Sequence, residues 1–281
     1  MAIRKTGVRG TCFASIAMLL SAAAVHAATG SAPAAAATTT PQDLPDDGLH
    51  YSLGFGAFVA PKYSGSSDNH VVPAPLFGVR YDRYFIGTVP DANVPFGVGA
   101  YLYRDNTVRV GVAVSADLVK PRKSSDDARL TGMPDIERTA RATLFASYNL
   151  DWVSVVGAAT QDIGGKDQGA TATLDLLGKY RPTEQLTLTA GPGVTWGSSQ
   201  NNQTFYGVTA EDSAHSGLAE YTPGSGLAAI RFSVGAMYQL DKRWTLGARI
   251  GATHLPGDVG DSPIVEKKNQ MTYGVFTNYS F

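Results

Sequence analysis

The chain has 281 residues, of which 17 % are charged, and it carries 31 Gly and 13 Tyr. That mixture suits strands and tight turns, and no Leu/Glu/Lys-rich helical stretch competes with it. The formal charge is −1 with no clustered basic surface, which argues against a nucleic-acid partner because phosphate binding requires one.

Residues 1–27 read as a secretory leader: Arg4, Lys5 and Arg9 precede an apolar run from Thr11 to Val25, and Val25-His26-Ala27 offers a small-x-small cleavage site. The run is shorter than the roughly 20 apolar residues that span a bilayer, so a retained anchor is the weaker reading. Loss of the leader removes Cys12, the sole cysteine, and leaves no disulfide framework and no thiolate metal site or nucleophile. It also leaves 20 basic residues against 24 acidic ones, a formal charge of −4. Residues 28–48, rich in Ala, Thr, Ser and Pro without periodicity, are expected to form a disordered periplasmic linker.

From Leu49 the chain becomes a succession of segments about ten residues long with period-two alternation, the pattern of transmembrane β-strands. Twelve are expected: 49–60, 72–81, 83–89, 94–103, 106–119, 135–150, 152–161, 169–180, 185–196, 226–240, 243–255 and 270–281. The last is the clearest, with Met271, Tyr273, Val275, Thr277, Tyr279 and Phe281 on one face and Gln270, Thr272, Gly274, Phe276, Asn278 and Ser280 on the other. Segments 108–118, 185–196 and 243–254 follow the same rule, whereas 152–160 is apolar on both faces. Faces made of Gly, Thr, Ser and Arg are too small and too polar for a dry core, so the polar face is expected to look into a lumen and the apolar face onto lipid.

The connections alternate. Those at 82, 104–106, 151, 181–184 and 241–242 are tight, while those at 61–71, 120–134, 197–225 and 256–269 are long. This is the spacing of a barrel with periplasmic turns and extracellular loops, and an even strand count places both chain ends on the periplasmic side. Tyr148, Trp152, Tyr180, Tyr238, Trp244 and Tyr279 gather near the turn end as an expected aromatic girdle. The fold class is therefore an all-β transmembrane antiparallel barrel of about twelve strands over residues 49–281.

Residues able to carry chemistry are sparse. His50, His70, His215 and His254 are isolated and make a metal site improbable, and no cofactor is implied. Glu211, Asp212, Ser213, His215 and Ser216 crowd one loop, but sequence crowding does not establish a nucleophile, a base and an orienting group. No catalytic, cofactor-binding or metal residue is assigned, and the chain is read as a non-enzyme. Arg109, Arg141, Asp175, Lys179, Arg231 and Arg249 are expected to point inward. Two readings stand: a charged ring lining a pore, or pairs formed across the lumen and with Asp117 that close it, the second being favoured.

Several stretches go beyond barrel physics. They are Gly54-Phe55-Gly56, Pro61-Lys62-Tyr63-Ser64-Gly65-Ser66, Pro73-Ala74-Pro75 and Tyr81-Asp82-Arg83-Tyr84-Phe85, then Arg122-Lys123, Leu130-Thr131-Gly132-Met133, Gln203 to Val208, Ser216-Gly217-Leu218 and Gly257 to Val265. In this order they resemble the MipA/OmpV family of outer-membrane proteins, and the resemblance covers the whole expected barrel. One departure is Lys120-Pro121-Arg122-Lys123, where the family usually shows a Gly-Arg pair. The resemblance implies a non-enzymatic envelope scaffold in outer-membrane lipid, with a lytic murein transglycosylase and a bifunctional peptidoglycan synthase as partners. The alternatives are a narrow pore or a surface adhesin. The motif-bearing loops are expected to face outward, whereas a murein scaffold acts from inside. Either those loops are structural, folding over or into the mouth, or the outer surface is the functional one.

Overall fold

The computed structural model describes residues 48–89 and 94–281. The expected leader, all of the expected linker except Gly48, and the connection 90–93 lie outside them.

Twelve strands close into one antiparallel barrel: β1 (Leu49–Pro61), β2 (Asn69–Tyr81), β3 (Tyr84–Val89), β4 (Val94–Arg104), β5 (Val108–Ala116), β6 (Ala140–Asn149), β7 (Val153–Asp162), β8 (Ala170–Tyr180), β9 (Leu186–Gly197), β10 (Gly226–Gln239), β11 (Trp244–His254) and β12 (Asn269–Ser280). Each strand pairs with its sequence neighbours, and β1 closes on β12 with Ser52 opposite Ser280 and Val59 opposite Tyr273. Closure leaves no free sheet edge around most of the wall, which is what a bilayer demands of strands.

Alternation sets the facing as expected. On β12, Met271, Tyr273 and Val275 are exposed outward, while Gln270, Gly274 and Phe276 are buried inward. On β9, Thr195 and Gly193 face in and Trp196 faces out. On β7, where the sequence shows no contrast, Ser154 and Val156 are the buried residues. The lumen departs from expectation in one respect, because it also holds aromatic rings. Phe85, Tyr101 and Phe145 meet edge to face or tilted at 5.3–6.1 Å between ring centroids, with Ala113 and Ala158 beside them. Glycines make room for such rings: a Cβ on Gly247 would lie 2.1 Å from Phe276, and one on Gly111 would lie 2.4 Å from Phe145. The small inward residues that look too meagre for a core are seats for large ones on neighbouring strands.

Two of the tight turns are built by aspartates. Asp105 Oδ1 accepts from the Thr107 and Val108 amides at 2.8 and 2.6 Å, and Asp241 Oδ1 accepts from Arg243 and Trp244 at 2.7 and 2.8 Å. Asp82 takes a left-handed φ of 47°. The expected girdle side chains stand at this end, with Trp152 and Tyr180 strongly exposed and Tyr279 between Trp244 and Phe281. Leu49 and Phe281 both lie there as well.

Two expected strands are trimmed. β5 ends at Ala116 and β6 begins at Ala140, so 135–139 belong to a loop in which Ile136 bridges to Arg122 and is buried in a cluster outside the sheet.

Candidate functional site: a sealed loop end and an open well

The four long connections, 62–68, 117–139, 198–225 and 255–268, fold together over one end of the barrel. Local sequence starts this. Ser198 accepts from the Asn201 amide and opens α1 (Ser199–Tyr206). Thr209 and Asp212 form a reciprocal capping box for α2 (Ala210–Ser216), which Gly217 ends with a left-handed φ of 75°. A short turn of helix, α3 (Gly257–Gly260), follows β11.

Two apolar clusters then join the loops. One collects Ile136, Phe205, Tyr206, Ala228, Ala229, Leu255 and Val259, and the other Tyr63, Leu130, Met133, Val208 and Ile264. Tyr206 has no exposed surface and Tyr63 has 1 %. Polar contacts fix the register between loops. The Tyr206 hydroxyl lies 2.7 Å from Ser64 Oγ, and the Tyr63 hydroxyl donates to Glu266 at 2.8 Å. Gln270, at the top of β12, accepts from the Gly65 amide at 3.1 Å and donates to the Ser66 carbonyl at 3.0 Å. Gly132 has a φ of 86°, and a Cβ there would lie 2.3 Å from the His215 carbonyl oxygen, so loop 117–139 and α2 approach through it. Burial, then the bond to Glu266, raises the Tyr63 hydroxyl pKa, so it stays protonated and donating. Arg122 is 2 % exposed and donates from Nη1 to the Phe205 carbonyl at 3.0 Å, and desolvation lowers its pKa.

Every family-resembling stretch in these loops contributes to this cap: Tyr63 and Ser64, Arg122, Leu130 to Met133, Phe205 to Val208, Gly217 and Leu218, and Ser262 to Val265. The choice left open by the sequence falls on the structural side. Arg122, within the departing Lys120–Lys123 stretch, is an interior strut.

Two of the inward charges form ion pairs and others bond neutral side chains. Arg141 Nη1 bonds Asp117, whose side chain is fully buried, and its Nη2 bonds Gln168. Arg231 reaches Asp175 at 2.9 Å and Thr195 Oγ1 at 2.6 Å, Arg249 donates to Ser233 Oγ at 3.0 Å, and Lys179 reaches Asn149 at 3.4 Å. Arg109 is engaged too. This matches the paired reading rather than a bare cationic ring. Inward residues under the cap, such as Ala60, Val72, Thr195, Ala229 and Gln270, are buried, whereas Thr187, Thr189, Met237, Thr245 and Asn278 near the turns keep partial exposure. Inward residues are thus mostly buried under the cap and mostly half-buried toward the turns, with Ser147 and Ser154 beside the turn at 151 buried as well.

The crowded acid, hydroxyl and imidazole residues are not gathered as a catalytic group. Asp212 accepts from the Thr209 amide at 3.1 Å, and Ser216 Oγ donates to the Asp212 carbonyl at 2.6 Å, both as helix caps. His254 Nδ1 lies 2.7 Å from Asn269 Oδ1 at the top of the wall. Among the described residues no three His, Cys, Asp or Glu side chains converge as a metal site.

A closed twelve-strand barrel with an apolar outer belt, a paired lumen and a loop cap defines a bacterial outer-membrane barrel protein. The profile of the family described as "MltA-interacting protein MipA" matches residues 53–281, and the chain belongs to that family. It is 28 % identical over 223 residues to the MltA-interacting protein of Escherichia coli (strain K12), covering 77 % of this chain and 84 % of that one. It is 24 % identical over 157 residues to the putative outer membrane protein YiaT of the same strain, covering 56 % of this chain and 63 % of that one. Among solved structures it is similar to an outer-membrane channel from Pseudomonas putida F1, with 16 % identity, a TM-score of 0.48, and coverage of 86 % and 98 %.

Proposed function

We propose that the protein is a non-catalytic interaction protein of the outer membrane whose turn end faces the periplasm and receives a lytic murein transglycosylase. A bifunctional peptidoglycan synthase is the second partner in this reading. In this reading residues 1–27 direct export and residues 28–48 form the linker that precedes β1, which starts at the turn end with Leu49. Murein enzymes work on the periplasmic side, so their docking surface belongs to the linker, the tight turns and the rim of the well.

One observation carries this reading: the large side chains of the family-resembling loop stretches, Tyr63, Arg122, Leu130, Met133, Phe205, Tyr206, Val208 and Ile264, are buried inside the cap, whereas the tight turns keep exposed side chains such as Asn106 and Lys242 on the side where murein enzymes work. The name of the Escherichia coli relative supplies the partner class. The test is photo-crosslinking to a purified lytic transglycosylase from single positions at the turns, Asn106 and Lys242, and on the outer cap, Lys123 and Lys267. Crosslinks from the turn positions alone are expected. Crosslinks from the cap positions alone would reverse the assignment.

A further inference from the structure

Positive charge gathers on one side of the barrel at the turn end. Arg80 near the end of β2, Arg104 at the end of β4 and Arg109 near the start of β5 are half-buried and occupy inward positions beside the turns. The register sets Arg104 directly opposite Arg109, like charge against like, an arrangement that costs stability in an antiparallel pair. Arg104 lies over the Tyr101 ring at 5.5 Å, and Tyr101 packs on Phe85 and Phe145, so this guanidinium sits inside the barrel beside the aromatic cluster. The wall supplies little negative charge in return. The twelve strands hold two carboxylates, Asp162, which binds Thr139 and the amides of its own loop, and Asp175, which pairs with Arg231.

The sequence holds a complement of opposite sign. Residues 28–47 contain Asp43, Asp46 and Asp47 and no Lys, Arg or Glu. They lead into β1 at the same end of the barrel, where His50 stands opposite Arg80. From His50 back to Asp43 is seven residues, about 23 Å of extended chain, against about 19 Å for the four strand spacings from β1 to β5. Asp46 and Asp47 therefore have the reach to meet Arg80, and Asp43 the reach to meet Arg104 and Arg109. Leu44 stands between these acids, as Tyr101 stands among the cations.

We propose that this cationic side of the barrel mouth is a docking site for the chain's own acidic segment, the carboxylates of Asp43, Asp46 and Asp47 meeting Arg80, Arg104 and Arg109 and Leu44 meeting Tyr101. The full chain in detergent micelles, with a photoreactive residue in place of Leu44 and adducts mapped by peptide mass spectrometry, tests this. Adducts are expected on inward residues of β2, β4 and β5, Tyr101 among them. Asp43→Asn, Asp46→Asn and Asp47→Asn together keep side-chain size outside the strands and are expected to lower those adducts at least about tenfold, since each exposed ion pair is worth up to about 1 kcal/mol. Arg104→Gln with Arg109→Gln is expected to lower them as well, with heat-modifiable gel mobility verifying the fold. Adducts on outward residues or on other strands would overturn the proposal. So would equal yields from the Asp and Asn segments, the result of tethering alone.

Discussion

The loop end and the turn end spend their residues in opposite ways. At the loop end, side chains far apart in sequence are buried against each other, as with Arg122 and Phe205 or Tyr63 and Glu266. At the turn end the connections are held largely by near neighbours, as where Asp105 and Asp241 satisfy the amides two and three residues on and Thr183 accepts from the Leu186 amide. One end is therefore fixed by long-range packing and tolerates little change, while the other is fixed locally and leaves its exposed side chains free to vary. An end held by its own short turns can present a binding surface without risking the wall. An end held by a shared core cannot.

The contrast can be broken by substitution. Tyr206→Ala removes a fully buried ring from the cap and is expected to lower its opening free energy by about 3–5 kcal/mol, read as hydrogen exchange across 117–139 and 198–225 while the strands keep their protection. Unchanged exchange in those loops would mean the cap has no common core. Asp117→Ala leaves Arg141 without its buried carboxylate and is expected to cost about 3–5 kcal/mol in denaturant unfolding, here where the cap loop 117–139 joins the wall at β6. Gly132→Ala forces a left-handed residue against the His215 carbonyl and should cost about 1–3 kcal/mol, again confined to the cap. By comparison Asn106→Ala, at an exposed turn, is expected to stay within about 0.5 kcal/mol of the parent.

Acidity sharpens the same comparison. The amide of Ser124 and the ammonium of Lys120 hold the Asp135 carboxyl below the usual aspartate range, against a smaller opposing effect of desolvation. A pKa depressed by folding gives stability that is present above the unfolded value of about 3.9 and is lost as pH falls through the folded value. Protection of loop 117–139, taken relative to the intrinsic exchange rate at each pH, is therefore expected to fall, a rise in opening, on acidification below about pH 4. Asp135→Asn should abolish that rise, and a rise that persists in this variant would assign it elsewhere.

The wall was legible in the sequence because period-two alternation is a local signal, and β12, β9 and β11 display it, with Phe276 on β12 as an inward aromatic exception. The trimmed start of β6 shows where it fails: 135–139 also reads as extended chain, but Ile136 gains more from the cap cluster than from a place in the sheet. Helix caps at Ser198 and at Thr209 with Asp212 and Gly217 were visible signals inside a segment read as loop. The pairing of the inward charges was foreseen, but the aromatic filling of the lumen was not, since the glycine beneath a ring lies on another strand, as Gly111 does under Phe145. What no local pattern reveals is which loop residues meet. Tyr206 and Ser64 are 142 positions apart, and only the closed barrel brings them together.

Whether the barrel interior is closed at the loop end and open to the periplasm at the turn end is decided by cysteine accessibility in cells. Thr189→Cys places a thiol on the partly exposed inner wall near the turns, and Lys123→Cys places one on the outside of the cap. With a membrane-impermeant maleimide, Lys123→Cys is predicted to label in intact cells and Thr189→Cys only after the periplasm is made accessible. Labelling of Thr189→Cys in intact cells would contradict the account.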